Sequence, residues 1–320
     1  MNIVHTFRYT PLTILILLAL TLAGLAQTNK PSDLKTGSVL VFPYYSSQIA
    51  NPIVRDTRIS IHNHGTTEVK VHLYFLENVD CQQADMFVSL TANGSITMRS
   101  STIIPDETGY LIAVATDPLT GAVLPNAGLT GNAFVQAPAG TFGAGSGAVL
   151  GNYGALVFNA YNPILPVNNQ ITLNFNGTDL DLMPVRFAAE IQRPVEAVGQ
   201  TIVLAGLNGS VVTGVITGAA QTGIAEAYNE IEEFRSARRF ISGSCHSLST
   251  VTNGNPAILG FGLNGLSGFI ATGTNGVLKF TTAGAAGLLI TPANTAGWSG
   301  IRGLTCLATS NTVSLVVPAI

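Results

Sequence analysis

The order of strand and turn signals is repeated in the two halves of the chain, and this repeat limits the possible folds more than any other feature. An alternating segment at residues 57–63 begins one series of signals, and a related segment at residues 201–208 begins the other. The signals that follow them match in order: Cys81 and Cys245, Asn93-Gly94 and Asn275-Gly276, Pro105 and Pro292, Gly109-Tyr110 and Gly297-Trp298. Such a repeat predicts two related β-domains in tandem.

Two segments of the first half alternate between apolar and polar residues. In residues 57–63 two isoleucines alternate with polar side chains, and in residues 69–75 every second residue is apolar. A period of two predicts strands with one face in a core and the other in water. We expect the two strands to pair as a hairpin with Ile61 opposite Val69, which leaves His72 on the solvent face.

The Asn-Gly pairs mark turns that require a positive φ. A two-residue hairpin at Asn93-Gly94 would place Leu90 and Thr97 on one face and would split the apolar residues between the two faces. We therefore expect this turn to connect strands of different sheets, as happens in β-sandwiches. Asn275-Gly276 is predicted to be the equivalent turn of the second half.

The expected fold class is all-β, with two tandem Ig-like β-sandwich domains joined by a Gly/Ala-rich connecting excursion. The N-terminal sandwich is assigned to residues 27–120 and the C-terminal sandwich to residues 184–320. Residues 121–183 are rich in Gly, Ala and Asn. They are predicted to be a connecting region, and completion of the first domain is the alternative.

Residues 223–240 fit two secondary structures. Four apolar side chains recur there at helical spacing: Ile224, Tyr228, Ile231 and Phe234. The glycines at positions 223 and 243 and the strands expected from the repeat favour a long β-hairpin instead. Both interpretations stay open at this point.

Residues 1–26 have the three parts of a secretory signal peptide. Arg8 supplies the positive charge, residues 12–22 are apolar, and Gly24-Leu25-Ala26 places small residues at the cleavage positions. The apolar run is short for a membrane span, which needs about 20 apolar residues, so an N-terminal anchor is the lesser alternative. We expect a secreted protein, extracellular or at the cell surface, with the periplasm as a further option.

Charged residues are scarce in this chain. They make up 10% of it and the formal net charge is −3, whereas soluble proteins average roughly 25% charged residues. The mild acidity argues against nucleic acid as a partner, because binding to nucleic acid needs a basic face. A surface with so little self-repulsion favours association, and exposed strand edges are the expected place for self-association.

All three cysteines follow the leader, in a compartment that permits disulfides. We predict a disulfide between Cys245 and Cys306, because both fall inside the second repeat, and a free thiol at Cys81. The alternative, in which Cys81 forms a bridge between the two domains, remains open.

The sequence contains few of the residues that catalysis needs, and it predicts no catalytic residue and no cofactor. No G-x-S-x-G motif occurs, and the histidines after the leader are His62, His64, His72 and His246. Cys245 and His246 are adjacent, and adjacent strand residues point to opposite faces. We expect all four histidines to be surface residues and Cys245 to be a structural half-cystine.

No metal site is predicted either, and a calcium loop is the alternative. Oxygen-bearing residues cluster at Asn174, Asn176, Asp179 and Asp181, and calcium takes oxygen ligands. The cluster lacks the order of an EF-hand, because Gly177 is misplaced and no closing glutamate follows.

The segment GSVLVFPYYSS at residues 37–47, the segment TRISIHN at residues 57–63 and the strand after Gly109 resemble a family of uncharacterised secreted bacterial proteins. The resemblance implies an exported, β-rich protein and supplies no site residues. Members of that family carry a second cysteine after the Tyr110-type strand, and Val123 and its neighbours supply none here.

We expect a non-enzymatic exported protein of the cell envelope or extracellular matrix that acts by adhesion or self-assembly. Its expected partners are extracellular or envelope proteins or glycans. A carbohydrate- or peptide-binding module is the second hypothesis, and an outer-membrane β-barrel is the third.

Overall fold

The computed structural model describes residues 29–142, 146–192, 200–237, 241, 245–250, 270, 274–293, 297 and 299–319. The predicted leader and Trp298 lie outside these residues. Apart from one short helix, the regular secondary structure of the described chain is β-strand, which confirms the all-β prediction. No helix in these ranges has the length and apolar character needed to cross a membrane.

The elements of the first half run as far as the tenth strand. They are β1 (Val39–Ser46), β2 (Asp56–Asn63), β3 (Val69–Glu77), β4 (Gln83–Leu90), β5 (Ser95–Arg99), α1 (Ser100–Ile103), β6 (Thr108–Thr116), β7 (Leu129–Ala137), β8 (Val149–Gly154), β9 (Leu156–Phe158) and β10 (Gln170–Phe175).

The second half contains the remaining strands. They are β11 (Met183–Gln192), β12 (Thr201–Gly206), β13 (Asn208–Ser210), β14 (Val215–Thr217), β15 (Gln221–Asn229), β16 (Phe234–Ala237), β17 (His246–Thr250), β18 (Asn275–Thr282), β19 (Ala285–Thr291), β20 (Gly300–Gly303), β21 (Thr305–Ser310) and β22 (Val313–Pro318).

These strands form five open sheets within the described part of the chain. Sheet 1 has the order β4-β3-β6-β1-β9, sheet 2 the order β5-β2-β7-β8, and sheet 3 the order β10-β22-β13-β14. Sheet 4 has the order β16-β15-β18-β11-β21, and sheet 5 the order β17-β12-β19-β20. Neighbouring strands are antiparallel except β13 and β22, which are parallel.

Sheets 4 and 5 repeat the strand order of sheets 1 and 2. When β11 is matched to β1, β12 to β2 and β15 to β3, every later strand of sheets 4 and 5 falls on its counterpart in order. The pair β13–β14 is an insertion after β12. The immunoglobulin-like part of the prediction is not confirmed. In the immunoglobulin fold the last two strands pair within one sheet, whereas the last two strands of the first repeat, β8 and β9, lie in different sheets here.

The matched topology shows which glycines correspond. Gly109 lies opposite Glu77, the last residue of β3, and Gly276 lies opposite Asn229, the last residue of β15. A Cβ at Gly109 would lie 1.8 Å from the Leu76 carbonyl oxygen. A Cβ at Gly276 would lie 2.6 Å from the carbonyl oxygen of Tyr228. Both positions therefore need glycine because another backbone passes close by.

This correspondence corrects one predicted turn and leaves the other in place. Asn275-Gly276 begins β18 and is not a turn, so that prediction was wrong; its glycine serves a close strand contact. Asn93 does have a positive φ of 55°. The turn at Asn93-Gly94 connects β4 in sheet 1 to β5 in sheet 2, as predicted.

The inner strands of sheet 1, which are β3, β6 and β1, are buried on both faces. One face packs on sheet 2 through side chains such as Phe42 and Ile59, and the other packs on sheet 3 through Tyr74, Ile112 and Leu315. A strand that is covered on both faces has a continuous run of apolar residues in its sequence. β1 and β6 have this pattern, since all of β1 is buried and β6 is buried after its first residue.

The predicted hairpin between residues 57–63 and 69–75 was wrong. β2 pairs with β5 and β7 in sheet 2, whereas β3 pairs with β4 and β6 in sheet 1. Ile61 and Val69 belong to the core between the two sheets. Both faces of β3 are buried, so this strand occupies the middle of a covered sheet.

A further core lies between sheets 4 and 5, where Phe187, Phe280, Ile202 and Leu204 are buried. The other face of sheet 5 reaches the first half, because Val203 of β12 belongs to the core of sheets 1 and 2. The two halves therefore share apolar surface.

Residues 121–183 contain the strands β7 to β10 with loops between them, and residues 223–240 contain most of β15 and all of β16. β7 and β8 lie in sheet 2, β9 in sheet 1 and β10 in sheet 3. β15 and β16 pair antiparallel, with Ala225 opposite Ala237 and Tyr228 opposite Phe234. This pairing confirms the hairpin over the helix. Ala225 and Ala227 are buried and alternate with the more exposed Ile224 and Glu226, which is the period of a strand.

Candidate functional site

A disulfide joins the two halves. Cys81 is bonded to Cys245, with 6.0 Å between their Cα atoms, and Cys306 is free. The predicted pair Cys245–Cys306 and the predicted free thiol at Cys81 were wrong, and the alternative bridge between the halves is the one observed. Cys306 lies on β21 opposite Phe187. Cys245 directly precedes β17 and reaches the loop after β3, where Cys81 has a positive φ.

The imidazole of His246 is buried beside this disulfide. Only 4% of the residue is exposed, so the predicted surface position was wrong. Nε2 lies 2.9 Å from the carbonyl oxygen of Pro43, and Nδ1 lies 2.9 Å from the side-chain amide of Asn78. The ring also packs on Tyr110, whose hydroxyl donates to the Gly206 carbonyl at 3.0 Å.

Burial lowers the pKa of His246 to about 4. The neutral ring donates from Nε2 to Pro43 in β1 and faces Asn78 after β3, so it bridges the second half to two places in the first. The two halves of the molecule are thus held in contact here by five residues: Asn78, Cys81, Tyr110, Cys245 and His246.

A second buried imidazole lies on β3. His72 is 1% exposed, so its predicted solvent position was also wrong; sheet 3 covers the face that alternation assigned to water. Its Nε2 lies 2.8 Å from Asp85 Oδ2, and its Nδ1 lies 2.7 Å from the Tyr74 hydroxyl. The same hydroxyl is 2.7 Å from the carbonyl oxygen of Pro318 at the end of β22.

Burial lowers the pKa of His72, and the contact with Asp85 opposes this effect. In the neutral ring Nε2–H donates to Asp85, and Nδ1 is an acceptor. Tyr74 then has a single proton for two acceptors, His72 Nδ1 and the Pro318 carbonyl. A proton on His72 would let Nδ1–H donate to Tyr74 and free the tyrosine proton for Pro318.

The remaining two histidines lie toward the surface. His64 is exposed, as predicted, and its Nε2 lies 2.8 Å from Thr130 Oγ1. His62 is half-buried, with its ring centroid 6.2 Å from that of His64. Among the described residues, no group of three or more His, Cys, Asp or Glu side chains is arranged to hold a metal ion.

The four candidate calcium ligands do not converge. Asn176 Oδ1 accepts from the backbone N–H groups of Thr178 and Asp179, which closes a turn. The side-chain amides of Asn174 and Asn176 donate to Asp179 Oδ2. Asp181 takes part in a separate set of hydrogen bonds. The oxygens of Asn176 and Asp179 are thus already engaged within the loop.

The hydrogen bonds of Asp181 lie at a polar cavity of about 470 Å³. Asp181 is fully buried, and its carboxylate accepts from the Tyr161 hydroxyl at 2.6 Å, from Lys35 Nζ and from the backbone N–H of Asn159. The cavity is lined by Lys30, Ser32, Lys35, Thr36, Asn126, Asn159, Tyr161 and Asp181. Sequence reasoning missed this site, because only Asp181 carried a signal and it was grouped with the calcium loop.

A second cavity, of about 250 Å³, is lined by residues of both halves. Leu156 contributes from the first half, and Phe187, Leu288 and Leu304 contribute from the second. The free thiol of Cys306 lies in its wall, and burial raises the pKa of that thiol. The thiol is therefore protonated at neutral pH.

The outer face of sheet 4 differs from its counterpart in sheet 1. Tyr110, Ile112 and Val114 are covered by sheet 3, whereas the matching residues of β18 are Val277, Lys279 and Thr281, all at least partly exposed. The more polar composition suits contact with solvent. Three large apolar residues of the β15–β16 hairpin are nevertheless well exposed: Ile224 at 67%, Ile231 at 74% and Phe234 at 55%.

No protein-family model and no curated protein matches the chain. Two solved structures resemble it at low scores. The crystal structure of Thermotoga maritima 1070 shares 15% identity over 38% of this chain and 95% of that chain, with a TM-score of 0.28. The crystal structure of tripeptidyl peptidase 2 shares 9% identity over 89% of this chain and 25% of that chain, with a TM-score of 0.21.

Proposed function

We propose that this is an exported, non-enzymatic protein of the cell envelope or extracellular matrix, with two tandem β-sandwich domains, that acts by adhesion through self-assembly. The partner that the surface fits best is a second copy of the chain. The contact would use the edge of sheet 4 formed by the β15–β16 hairpin.

The exposed apolar side chains of this hairpin are the observation that carries the proposal. β16 is the last strand of sheet 4 in the described chain, so its outer backbone groups can pair with another strand. Ile224, Ile231 and Phe234 lie on or beside this edge, while the rest of the outer face of sheet 4 is largely polar. Exposed apolar residues at a strand edge favour strand addition.

The charges of the hairpin favour a second copy over an unrelated partner. Glu232 and Glu233 precede Phe234, and Arg235 follows it. In an antiparallel pair of identical strands related by a twofold axis, the acidic end of one copy faces the basic end of the other. Opposite charges across paired strands stabilise the pair, so the segment complements itself.

Export is supported by the disulfide and by the leader sequence. Cys81 and Cys245 are 164 residues apart, and a disulfide over such a distance is typical of proteins that fold in an oxidising compartment. Cell fractionation tests this part directly: we expect the mature chain outside the cytoplasm. Recovery of the uncleaved chain in the cytoplasm would contradict export.

Light scattering over a range of protein concentrations tests the assembly. We expect a concentration-dependent dimer, and we expect Phe234→Lys to weaken it about tenfold or more, because a charge would replace a central apolar contact. Leu119→Lys is the matched control, since Leu119 is 94% exposed on a turn in the other half. A wild-type monomer at the highest concentration, or equal effects of both variants, would overturn the proposal.

A further inference from the structure

We infer that the polar cavity around Asp181 is a binding site for a small hydroxylated carboxylate, of the kind found in an acidic saccharide such as a uronic acid. This inference does not depend on self-assembly, because the cavity and the β15–β16 hairpin consist of different residues. We call the residues Lys30, Lys35, Asn126, Asn159 and Asp181 the acid-sugar site.

The site has a buried and ordered floor. Asp181 is fully buried, and its bonds to Lys35, Tyr161 and the backbone of Asn159 hold three segments of chain around it. Asn159 is itself only 9% exposed, and its Nδ2 donates to Asn126 Oδ1 at 2.7 Å. Side chains fixed in this way form a preorganised pocket, which lowers the entropic cost of binding.

Several polar atoms of the site remain available to a ligand. Lys35 Nζ uses two of its three hydrogens, one for Asp181 and one for the Lys30 carbonyl at 2.8 Å. Within the described chain, Lys30 Nζ, Asn126 Nδ2 and Asn159 Oδ1 have no bonding partner. The cavity therefore offers ammonium and amide donors together with one carbonyl acceptor.

The charge and hydrogen-bonding capacity of these groups, together with the volume of the cavity, define the class of ligand. Two ammonium groups against one carboxylate leave one net positive charge, which suits a singly charged anion. The acceptor Asn159 Oδ1 needs a donor on the ligand, which a hydroxyl supplies and an inorganic dianion without a proton, such as sulfate, does not. A volume of about 470 Å³ lies within the range of ligand pockets and accommodates a sugar-sized molecule.

Calorimetric or NMR titration with glucuronate and galacturonate tests the inference, with glucose and galactose as neutral controls. We expect a uronate to bind at least tenfold more tightly than its neutral counterpart at low salt, because a charge-assisted hydrogen bond is added. Lys30→Ala should weaken uronate binding about tenfold, and Lys70→Ala, a change of the same kind outside the cavity, should leave it unchanged. Lys30 is exposed, so its replacement does not threaten the fold.

Three results would overturn the inference. One is the absence of uronate binding to folded wild-type protein at about 10 mM, a concentration that saturates a millimolar site. Another is equal binding of uronates and neutral sugars. The third is equally tight binding of sulfate at the same site, which would show a simple anion site. A monomeric protein that binds uronate would support this inference and contradict the assembly proposal, so the two can fail separately.

Discussion

His246 contacts the first half of the molecule with both of its ring nitrogens, at Pro43 and at Asn78. Its pKa is about 4 in the folded protein, against about 6.5 in an unfolded chain. Between these pH values the unfolded chain binds the additional proton. The contribution of His246 to stability is therefore complete above pH 6.5 and is lost as the pH falls toward 4.

At pH 4 the contribution of His246 to the free energy of unfolding is about 3 kcal/mol lower than at neutral pH, because the pKa of His246 differs by about 2.5 between the folded and the unfolded chain. Urea unfolding of the wild type and of His246→Gln at pH 7 and pH 4.5 measures it. We expect the stability of the variant to fall less between the two pH values than that of the wild type. His64→Gln, a change at an exposed histidine, should keep the wild-type difference, and equal pH dependence in all three proteins would refute the assignment.

Tyr74 connects β3 of the first half to the last residue of β22 through its hydroxyl. Tyr74→Phe removes the bond to the Pro318 carbonyl and leaves buried polar atoms without a partner, at a cost of about 1–3 kcal/mol. Thermal or urea unfolding checks this loss. The matched variant is Tyr228→Phe, at a partly exposed ring, and it should change stability by less than about 0.5 kcal/mol. A Tyr74→Phe protein as stable as the wild type would show that the bond from Tyr74 to the Pro318 carbonyl does not help to hold β22.

Sequence reasoning placed His72 and His246 on the surface for one shared reason. Alternation along a strand separates two faces, but it does not reveal whether a second sheet covers the polar face. At His72 the covering strands β10 and β22 come from distant parts of the chain. Buried imidazoles with hydrogen-bonding partners thus have the same sequence pattern as solvated ones.

At the level of strands, the structure matches Gly109 of β6 with Gly276 of β18, and each glycine allows a neighbouring strand to pass close by. A Cβ at Gly109 would lie 1.8 Å from the Leu76 carbonyl oxygen, which is backbone and cannot rotate away. At Gly300, on β20, a Cβ would meet no atom of the described residues within 4 Å. We therefore expect Gly109 and Gly300 to respond differently to replacement by alanine.

Gly109→Ala should destabilise the protein by about 3 kcal/mol or more, because β3 and β6 must separate at their ends. Gly300→Ala should be neutral within about 0.5 kcal/mol or slightly stabilising. Denaturant midpoints of the two variants give the comparison. Equal stability of the two variants would mean that the close approach of Leu76 to Gly109 is not a feature of the folded protein.

The strand predictions succeeded where local chemistry decides the outcome. The turn at Asn93-Gly94 connects two sheets, because Leu90 and the residues of β5 must reach the same core from opposite sides. The hairpin of β15 and β16 was favoured by the glycines at positions 223 and 243 and by the strands expected from the repeat, and the pairing confirms it. The β2–β3 hairpin failed because neighbours in sequence were assumed to be neighbours in a sheet.

At the level of the whole molecule, the sequence indicated two copies of one plan but aligned them incorrectly. Nine strands of each half fall on matching places in the sheets. The segments that open the repeat, residues 57–63 and 201–208, do lie at matching places, because they form β2 and β12. The later motifs, such as the two cysteines, do not: Cys81 follows β3, whereas Cys245 follows β16. Similar spacing of common residues therefore gave the right plan with the wrong register.

The polar cavity could not be predicted from the sequence. Lys35, Asn126, Asn159 and Asp181 come from four segments that no motif connects, and only the packing of those segments brings them together. The calcium hypothesis correctly selected the carboxylate of Asp181 as a polar group of a site. It grouped Asp181 with the loop residues Asn174, Asn176 and Asp179, however, and not with the residues of the cavity. The disulfide was missed for the same reason, because the contact between the loop after β3 and the start of β17 is a tertiary one.

The disulfide between the halves stabilises the whole molecule by restricting the unfolded chain. Closing a loop of 164 residues is worth about 5 kcal/mol in the chain-entropy model. Reduction should therefore lower the denaturant midpoint of the protein markedly, without altering the free thiol of Cys306. Reduction that leaves the midpoint unchanged would show that Cys81 and Cys245 are not bonded in solution.

Peptide mapping of the unreduced protein, recovered from the exported fraction and alkylated before digestion, tests most directly the claim that two copies of one plan are fixed together outside the cytoplasm. We expect a single cross-linked peptide pair containing Cys81 and Cys245, with Cys306 carrying the alkyl group. A cross-link between Cys245 and Cys306, or three alkylated cysteines in the exported protein, would contradict that claim.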